Sequence, residues 1–161
     1  LPFRVLFTFH TRRSSDLDVP VGKVKYNVDK AEMTITDYSL TSLVFLFGLG
    51  VKDLSLVNCE SYNTTALSAL EFENLSLIKC NFVDFDYLDL NVSKKLSLKD
   101  SNINSPRIFM YVNPEEIDIS GTELTRLGTL PRIKNLKVLT LTNEQKELAN
   151  FSRRIKMIIV D

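Results

Sequence analysis

An apolar–polar–apolar triplet recurs along this chain at a nearly constant step. Its copies begin at Met33, Leu54, Leu75, Leu96, Ile117, Leu139 and Ile158, so four steps of 21 are followed by one of 22 and one of 19. Alternation within a triplet predicts a short strand whose two apolar residues face inward. A nearly fixed step of this length predicts stacked units, because one such unit cannot bury its apolar face alone.

Other positions of the unit also keep their chemical character from copy to copy. The clearest copy runs from Phe72 to Leu88 and holds Phe72, Leu75, Leu77, Cys80, Phe82, Phe85 and Leu88. The third position after each triplet holds Tyr38, Cys59, Cys80, Ser101, Thr122 and Glu144. The rest of the unit is rich in Ser, Thr and Asn and is interrupted by Pro106 and Pro131. We therefore expect turns and 3-10 segments there, with one helix from Asn143 to Asn150.

With these columns in place, the chain resembles the leucine-rich repeat family. Phe72 to Leu88 fits the pattern LxxLxLxx(N/C)xLxxLxxL, and Ile117-Asp-Ile-Ser-Gly-Thr-Glu-Leu124 is similar to strands of the short bacterial type. The resemblance covers about Lys30 to Asp161. It implies a β-rich α/β solenoid of about six to seven repeats, each roughly 21–22 residues long. A parallel sheet would form its concave face, and short 3-10, turn and helical segments its convex face.

The sequence departs from the family pattern at several positions. Ser93 and Pro114 stand where two units should have an apolar residue, and Lys146 replaces an apolar residue in the sixth unit. The Asn of the N/C column is absent from every copy.

The first thirty residues differ from the repeats. Thr11 to Leu17 matches the in-frame translation of a common sequencing-adapter oligonucleotide, so we interpret residues 1–17 as non-native or disordered, from a bacterial metagenomic source. Val21 to Val28 alternates apolar and polar residues, which predicts a capping strand or hairpin over residues 18–29. Residues 30–161 are then the repeat domain, and the initial Leu1 suggests a fragment of a longer chain with no credible signal peptide. A cytoplasmic or a secreted location stays open.

Composition restricts the function classes. The 161 residues include twenty basic and twenty acidic side chains, one histidine and two cysteines. A net charge of zero argues against nucleic-acid binding through bulk phosphate attraction. The longest apolar run, Leu43 to Val51, is about half of a membrane span. We therefore expect a monomeric, non-enzymatic domain with no catalytic residues, no metal, no cofactor, no nucleic-acid partner and no membrane span.

Two further positions of the repeat unit, one with cysteines and one with alternating charges, are interpreted as stabilising the fold and not as a functional site. Cys59 and Cys80 occupy the same position in adjacent units, where a disulfide or a metal pair is conceivable. We expect instead two buried thiols that satisfy main-chain groups. A second column alternates in sign at every step and predicts a ladder of cross-strand ion pairs on the surface: Lys52, Glu73, Lys94, Glu115 and Lys137.

The outward positions of the strands are the candidate binding surface, because repeat solenoids bind partners on an extended sheet. The candidate partner-binding residues are Ser55, Val57, Ser76, Ile78, Lys79, Ser97, Lys99, Asp118, Ser120 and Thr140. Val57 and Ile78 form a small apolar spot, and Lys79 and Lys99 give it a basic rim. The alternative is that these small polar residues only keep an exposed sheet soluble.

Three functions compete. The first is a non-enzymatic scaffold that binds a protein partner through the concave sheet. The second is a targeting or regulatory repeat segment of a larger enzyme such as a kinase, because similar short repeats are often fused to catalytic domains. The third and weakest is a carbohydrate-active parallel β-helix, which needs acidic clusters on the sheet face, whereas the outward column offers Asp118 alone.

Overall fold

A computed structural model describes residues 22–148 and 154–161. The predicted non-native segment 1–17, the first residues of the predicted cap and the end of the predicted helix at Asn150 lie outside the described residues. The strands are β1 (Val24–Asn27), β2 (Glu32–Thr36), β3 (Ser39–Leu40), β4 (Asp53–Val57), β5 (Glu60–Ser61), β6 (Glu71–Ile78), β7 (Asn81–Phe82), β8 (Asn91–Ser97), β9 (Glu116–Asp118), β10 (Val138–Thr142) and β11 (Lys156–Val160).

Eight strands form one sheet in the order β1-β2-β4-β6-β8-β9-β10-β11, and β3, β5 and β7 form a second, parallel sheet. In the larger sheet every pair is parallel except β1 with β2. The helices are short: α1 (Thr65–Ser68), α2 (Asn143–Glu147) and the 3-10 segments Val44–Leu46, Phe85–Tyr87, Pro106–Phe109 and Leu130–Arg132. The structure therefore confirms a β-rich α/β fold with a large, mostly parallel sheet and short helical and 3-10 segments.

The strands pair so that equivalent positions of successive triplets lie opposite each other. The first apolar residues of successive triplets pair across the sheet: Met33 with Leu54, Leu54 with Leu75, Leu75 with Leu96, Leu96 with Ile117, and Ile117 with Leu139. Each of them is 3% exposed or less. The connecting segments add a second buried row: Leu46, Leu67, Leu88, Phe109 and Leu130. The core is thus a continuous ribbon between the large sheet and these segments.

β1 closes the first edge of the sheet. It pairs antiparallel with β2, which places Val24 opposite Ile35 and Tyr26 opposite Met33. The turn between the two strands is closed by the Ala31 N–H, which donates to the Val28 carbonyl at 3.2 Å. The Tyr26 hydroxyl donates to the Leu49 carbonyl and ties the hairpin to the first connecting segment. Val24 and Tyr26 pack partly buried against the core.

At the other edge, the predicted triplet that begins at Ile158 is wrong by one position. Met157 pairs with Leu139 and Ile159 with Leu141, whereas Ile158 lies opposite Thr140. Met157 and Ile158 are 39% and 40% exposed on this edge strand, so the register and not the burial assigns their faces. A shift by one position moves every side chain of a strand to the other face of the sheet. The last repeat is therefore even shorter than the sequence pattern predicts, because its inward strand positions begin at Met157.

The third position after three successive triplets donates to a main-chain carbonyl of the preceding turn, as predicted for the cysteines. The Cys59 thiol donates to the Ile35 carbonyl at 3.6 Å and the Cys80 thiol to the Leu56 carbonyl at 3.3 Å. In the next turn the Ser101 hydroxyl donates to the Leu77 carbonyl at 2.7 Å. Both cysteines are buried free thiols.

In the sixth unit this position is taken by a different residue from the predicted one. Glu144 is exposed, and Gln145 is buried, because the chain enters α2 directly after β10. The Gln145 Nε2 donates to the Ile119 carbonyl at 2.9 Å and to the Thr122 carbonyl at 3.1 Å. Its Oε1 accepts from the Thr142 N–H at 3.0 Å and completes a capping box.

Two positions after each of five successive triplets, one residue adopts the left-handed backbone conformation with positive φ. These residues, called the left-handed column below, recur at the same step as the triplets: Asp37 (φ 51°), Asn58 (φ 53°), Lys79 (φ 53°), Asp100 (φ 56°) and Gly121 (φ 71°). Asn, Asp and Gly adopt this conformation most readily, so four of the five match the backbone, and Lys79 is the exception.

The charge ladder is present in part. Lys94 bonds to Glu73, and the Lys137 ammonium lies 2.7 Å from the Glu115 carboxylate. The hydrogen bond from Lys94 lowers the pKa of Glu73, and the same bond raises the pKa of Lys94. Lys52 forms no ion pair within the part of the chain that is described, so the ladder consists of two close pairs.

Candidate functional site: the open face of the large sheet

The open face is the solvent side of the eight-stranded sheet, where the residues between the inward triplet positions emerge. Of the predicted partner-binding residues, Ser55, Val57, Ser76, Ile78, Asp118 and Thr140 are half-buried, and Lys79 and Lys99 are exposed. Ser97 and Ser120 are only 5% and 2% exposed, so they form the floor of the face and offer little contact area. Serine is short, and the residues two positions before and after Ser97 in the chain are the long side chains Lys95 and Lys99.

The structure brings the predicted apolar spot and its basic rim together. Val57 on β4 pairs directly with Ile78 on β6, which puts their side chains on the same face about 4.8 Å apart along the sheet. Ser76 pairs with Ser97, and the same register places Lys99 beside Ile78. The Lys79 N–H donates to the Lys99 carbonyl at 2.9 Å. These four residues, Val57, Ile78, Lys79 and Lys99, are called the apolar–basic spot below.

Two carboxylates near the apolar–basic spot, Asp37 and Asp53, accept hydrogen bonds from neighbouring side chains. Asp37 accepts from the Asn58 side-chain amide at 2.8 Å and lies 3.6 Å from the Lys23 ammonium. The bond from Asn58, followed by the charge of Lys23, lowers the pKa of Asp37. Asp53 accepts from the Asn74 amide at 2.8 Å.

Asp118, the carboxylate in the centre of the open face, is held in the same way. Its Oδ1 accepts from the Ser120 N–H at 3.0 Å and from the Ser120 hydroxyl at 2.7 Å. Such local bonds fix a carboxylate against its own turn. Asp118 therefore acts in the structure mainly as a cap on the end of β9.

A shallow depression of about 280 Å³ borders the open face where the strands turn toward the second sheet. It is lined by Asp37, Tyr38, Ser39, Asn58, Cys59, Glu60, Lys79 and Asn81. Lys79 belongs both to this depression and to the apolar–basic spot. Tyr38, Ser39, Glu60 and Asn81 were not among the predicted contact residues, although the left-handed column at Asp37, Asn58 and Lys79 marks the same rim.

The two thiols offer no reactive centre. Burial raises the pKa of the Cys80 thiol to about 12, and burial also raises the pKa of Cys59. A thiol needs to ionise to act as a nucleophile or a metal ligand. Across residues 22–148 and 154–161, no three His, Cys, Asp or Glu side chains lie close enough to hold a metal ion. The described helices are all too short to cross a membrane.

Comparison of the chain with protein-family models, with curated proteins and with solved structures finds no match. The arrangement of the open face is therefore the basis on which a function is inferred.

Proposed function

We propose that residues 30–161 form a leucine-rich repeat solenoid that works as a non-enzymatic protein-interaction module. The observation that carries this proposal is the agreement of independent columns at one common step. The inward triplets, the hydrogen-bonding column of Cys59, Cys80 and Ser101, and the left-handed column all keep that step. Stacked repeats of this kind present an extended, regular surface that suits binding of another chain.

We further propose that the open face is the concave side and that the apolar–basic spot is the centre of contact. Val57 and Ile78 are the only branched aliphatic pair that faces outward on neighbouring strands between β2 and β9 in the described chain. A central apolar anchor inside a polar rim is the usual arrangement at protein interfaces. Ser55 and Ser76 beside this pair are small enough to let a partner approach the sheet closely.

The two other functions have less support. A regulatory segment of a larger enzyme would use the same open face, so it differs from the first proposal only in what is attached to the chain. A carbohydrate-active β-helix needs two carboxylates set apart by a defined distance across the scissile bond. Asp118 is engaged by Ser120, and Asp53 by Asn74, which disfavours this chemistry on the open face.

The test is selection from a library of random twelve-residue peptides displayed on phage, with the full 161-residue chain as the bait. Peptides that bind the wild-type protein are then measured against the double variant Val57→Asp and Ile78→Asp. We expect binding to fall at least tenfold, because two apolar contacts are replaced by charges that the partner would have to desolvate.

Thr34→Asp is the matched control, because Thr34 is also half-buried on the open face but lies in another column. Circular dichroism and thermal unfolding show whether each variant is folded. Selection of no peptide at all, or of peptides whose binding the double variant leaves unchanged, would contradict the proposal.

A further inference from the structure

We propose that the back face of the molecule binds a second copy of this chain in a twofold-symmetric dimer. The back face is the solvent side of the segments that connect the strands of the large sheet, across the core from the open face. This inference is independent of the proposed function, which concerns the open face, and it differs from the monomer expected from the sequence. It follows from the side chains that three neighbouring segments carry: 80–90, 101–114 and 124–137.

The three segments lie side by side, because the strands that they connect are neighbours in the large sheet. The 3-10 segments Phe85–Tyr87 and Pro106–Phe109, which belong to the first two, pack against each other. The Asn135 N–H donates to the Asn113 Oδ1 at 3.1 Å and joins the last two. Segment 101–114 is therefore the middle of the group, with 80–90 on one side and 124–137 on the other.

The two outer segments carry opposite charge. Segment 80–90 contains three aspartates and no basic residue, whereas 124–137 contains two arginines and two lysines and no acidic residue. Asp84 accepts from the N–H and the hydroxyl of Thr64, which are neutral donors, so its negative charge is kept. Within the described residues, five of these charged side chains form no ion pair: Asp84, Asp89, Arg126, Arg132 and Lys134.

The charges at the ends of these segments do not cancel this difference. Lys137 is neutralised by Glu115 at 2.7 Å, and Lys79 lies at the depression on the rim of the open face. Glu123 is exposed just before segment 124–137. Against it, the Arg154 guanidinium adds a cation to that segment, because it donates to two of the segment's carbonyls at 3.1 and 3.2 Å.

The middle segment presents exposed apolar side chains. Met110 and Tyr111 are 60% and 63% exposed, and Arg107 is the single charged residue of the segment. Tyr87, in the adjoining segment 80–90, is 74% exposed. Aromatic residues, Met and Arg are the residue types enriched at protein interfaces, where an apolar centre is surrounded by a polar rim. Segment 101–114 is therefore suited to the centre of a contact.

One twofold axis satisfies all three segments at once. It lies in the plane of the back face and crosses the stack at segment 101–114, so that two copies meet back to back with their segments in opposite order. Segment 101–114 then covers its own copy, and 80–90 of each chain faces 124–137 of the other. Two identical contacts between opposite charges flank an apolar centre, which is a closed, isologous interface.

A second copy provides what the single chain does not. The two outer segments of one chain lie two strand spacings apart, about 10 Å, which exceeds the Debye length of about 8 Å at physiological salt. Their charges are thus largely screened from each other within the monomer. In the dimer each acidic segment would lie directly against a basic one, so dimerisation should depend strongly on salt.

The experiment is sedimentation velocity of the full 161-residue chain over a series of concentrations, in about 50 mM and about 500 mM NaCl. We expect a monomer–dimer equilibrium at low salt, with a dissociation constant that rises at least about tenfold at high salt. A chain that stays monomeric up to about 1 mM at low salt would overturn the proposal.

Charge reversals then locate the contact. Asp89→Lys and Lys134→Glu should each weaken the dimer about tenfold or more, because every substitution occurs twice in a twofold interface. The combined variant Asp89→Lys/Lys134→Glu exchanges the two charges and should recover dimerisation to within about threefold of wild type. Asp29→Lys and Lys30→Glu are the matched controls, because they make the same changes in net charge at exposed residues of the turn between β1 and β2 and should alter the dimer less than about twofold.

Circular dichroism shows that each variant is folded, and four results would overturn the dimer. The first is an equal loss in the matched controls, and the second is a combined variant that stays monomeric. The third is growth into species larger than a dimer. The fourth is a dimer that Val57→Asp/Ile78→Asp breaks and Asp89→Lys does not. Peptides selected on the open face should bind Asp89→Lys as they bind wild type, so loss of the dimer leaves the proposed function standing.

Discussion

The carboxylate of Asp100 occupies the space that a side chain on Gly121 would need. An ideal β-carbon on Gly121 would lie 2.0 Å from the Asp100 Oδ1 and 3.4 Å from the Asp100 Cα. The two residues hold the same position in consecutive turns, and both are left-handed, with φ of 56° and 71°. Glycine at the second position therefore serves both the backbone conformation and the contact with the preceding turn.

Gly121→Ala should lower the free energy of unfolding by about 1–2 kcal/mol, mainly because alanine is disfavoured at positive φ. The Asp100 carboxylate is the end of a side chain and can rotate away, so the clash itself should add little. The double variant Gly121→Ala/Asp100→Gly, measured by urea unfolding against the single variant Asp100→Gly, separates the two effects, because glycine removes the carboxylate and keeps the left-handed conformation of Asp100. If removing Asp100 restores full stability, the contact and not the backbone is the cause.

Lys79→Asn should stabilise the fold and weaken partner binding at once. Asparagine tolerates the left-handed conformation that Lys79 adopts at φ 53°, so we expect a gain of about 0.5–1 kcal/mol in the free energy of unfolding. The loss of the long side chain and its ammonium group should reduce the affinity of peptides that contact the apolar–basic spot. Lys99→Asn is the control, because Lys99 is not left-handed in the structure and should show the loss of affinity without the gain in stability.

Gln145→Leu should lower the free energy of unfolding by about 1–3 kcal/mol. The change removes a buried amide and leaves the Thr122 carbonyl and the Thr142 N–H without their partner. Glu144→Gln, at the adjacent exposed position, should change it by less than about 0.5 kcal/mol. Equal effects at the two positions in a chemical unfolding series would contradict the assignment of Gln145 to the hydrogen-bonding column.

Stability should fall as the pH rises from 9.0, the ordinary thiol value, toward about 12, to which burial raises the pKa of Cys80. In that window the unfolded chain has released the thiol proton while the folded protein keeps it, so unfolding becomes more favourable with increasing pH. Cys80→Ser should reduce this dependence, and the fold should persist because Ser101 occupies the same column with its hydroxyl bonded to Leu77. Urea midpoints measured across the window provide the test. A slope identical in Cys80→Ser and wild type would assign the loss to other groups.

The register of the sheet from β2 to β10 could be predicted because each triplet alternates and the step is nearly constant, which leaves one pairing that buries both apolar residues. The register of β11 could not be predicted, because Met157 to Val160 are four apolar residues in a row. Without a polar residue among them, the sequence does not indicate which side chains face inward. There the choice is made by contacts outside the strand: Ile155 is buried, and the Arg154 guanidinium donates to the Pro131 and Ile133 carbonyls at 3.1 and 3.2 Å.

The candidate binding surface was also predicted only in part. The sequence placed Val57, Ile78, Lys79 and Lys99 together because cross-strand neighbours share a column. It did not reveal that Ser97 and Ser120 are covered, because burial of a small hydroxyl depends on the length of its neighbours. The second sheet was also missed, since strands as short as β3, β5 and β7 carry no periodic signal.

The hydrogen bonds of Cys59, Cys80 and Ser101 all run from one turn to the strand of the preceding turn, so the two ends of the sheet should resist pulling differently. Cys59 reaches back to the strand of Ile35, Cys80 to the strand of Leu56, and Ser101 to the strand of Leu77, so each turn holds down the strand before it. Gln145 holds the end of β9 through the Ile119 carbonyl, and in the described residues β10 and β11 receive no such bond. A pull applied at Asp161 should therefore open the turns one after another from that end, each releasing about 70 Å of chain. A pull across the strands at the β1 end would meet the antiparallel hairpin first.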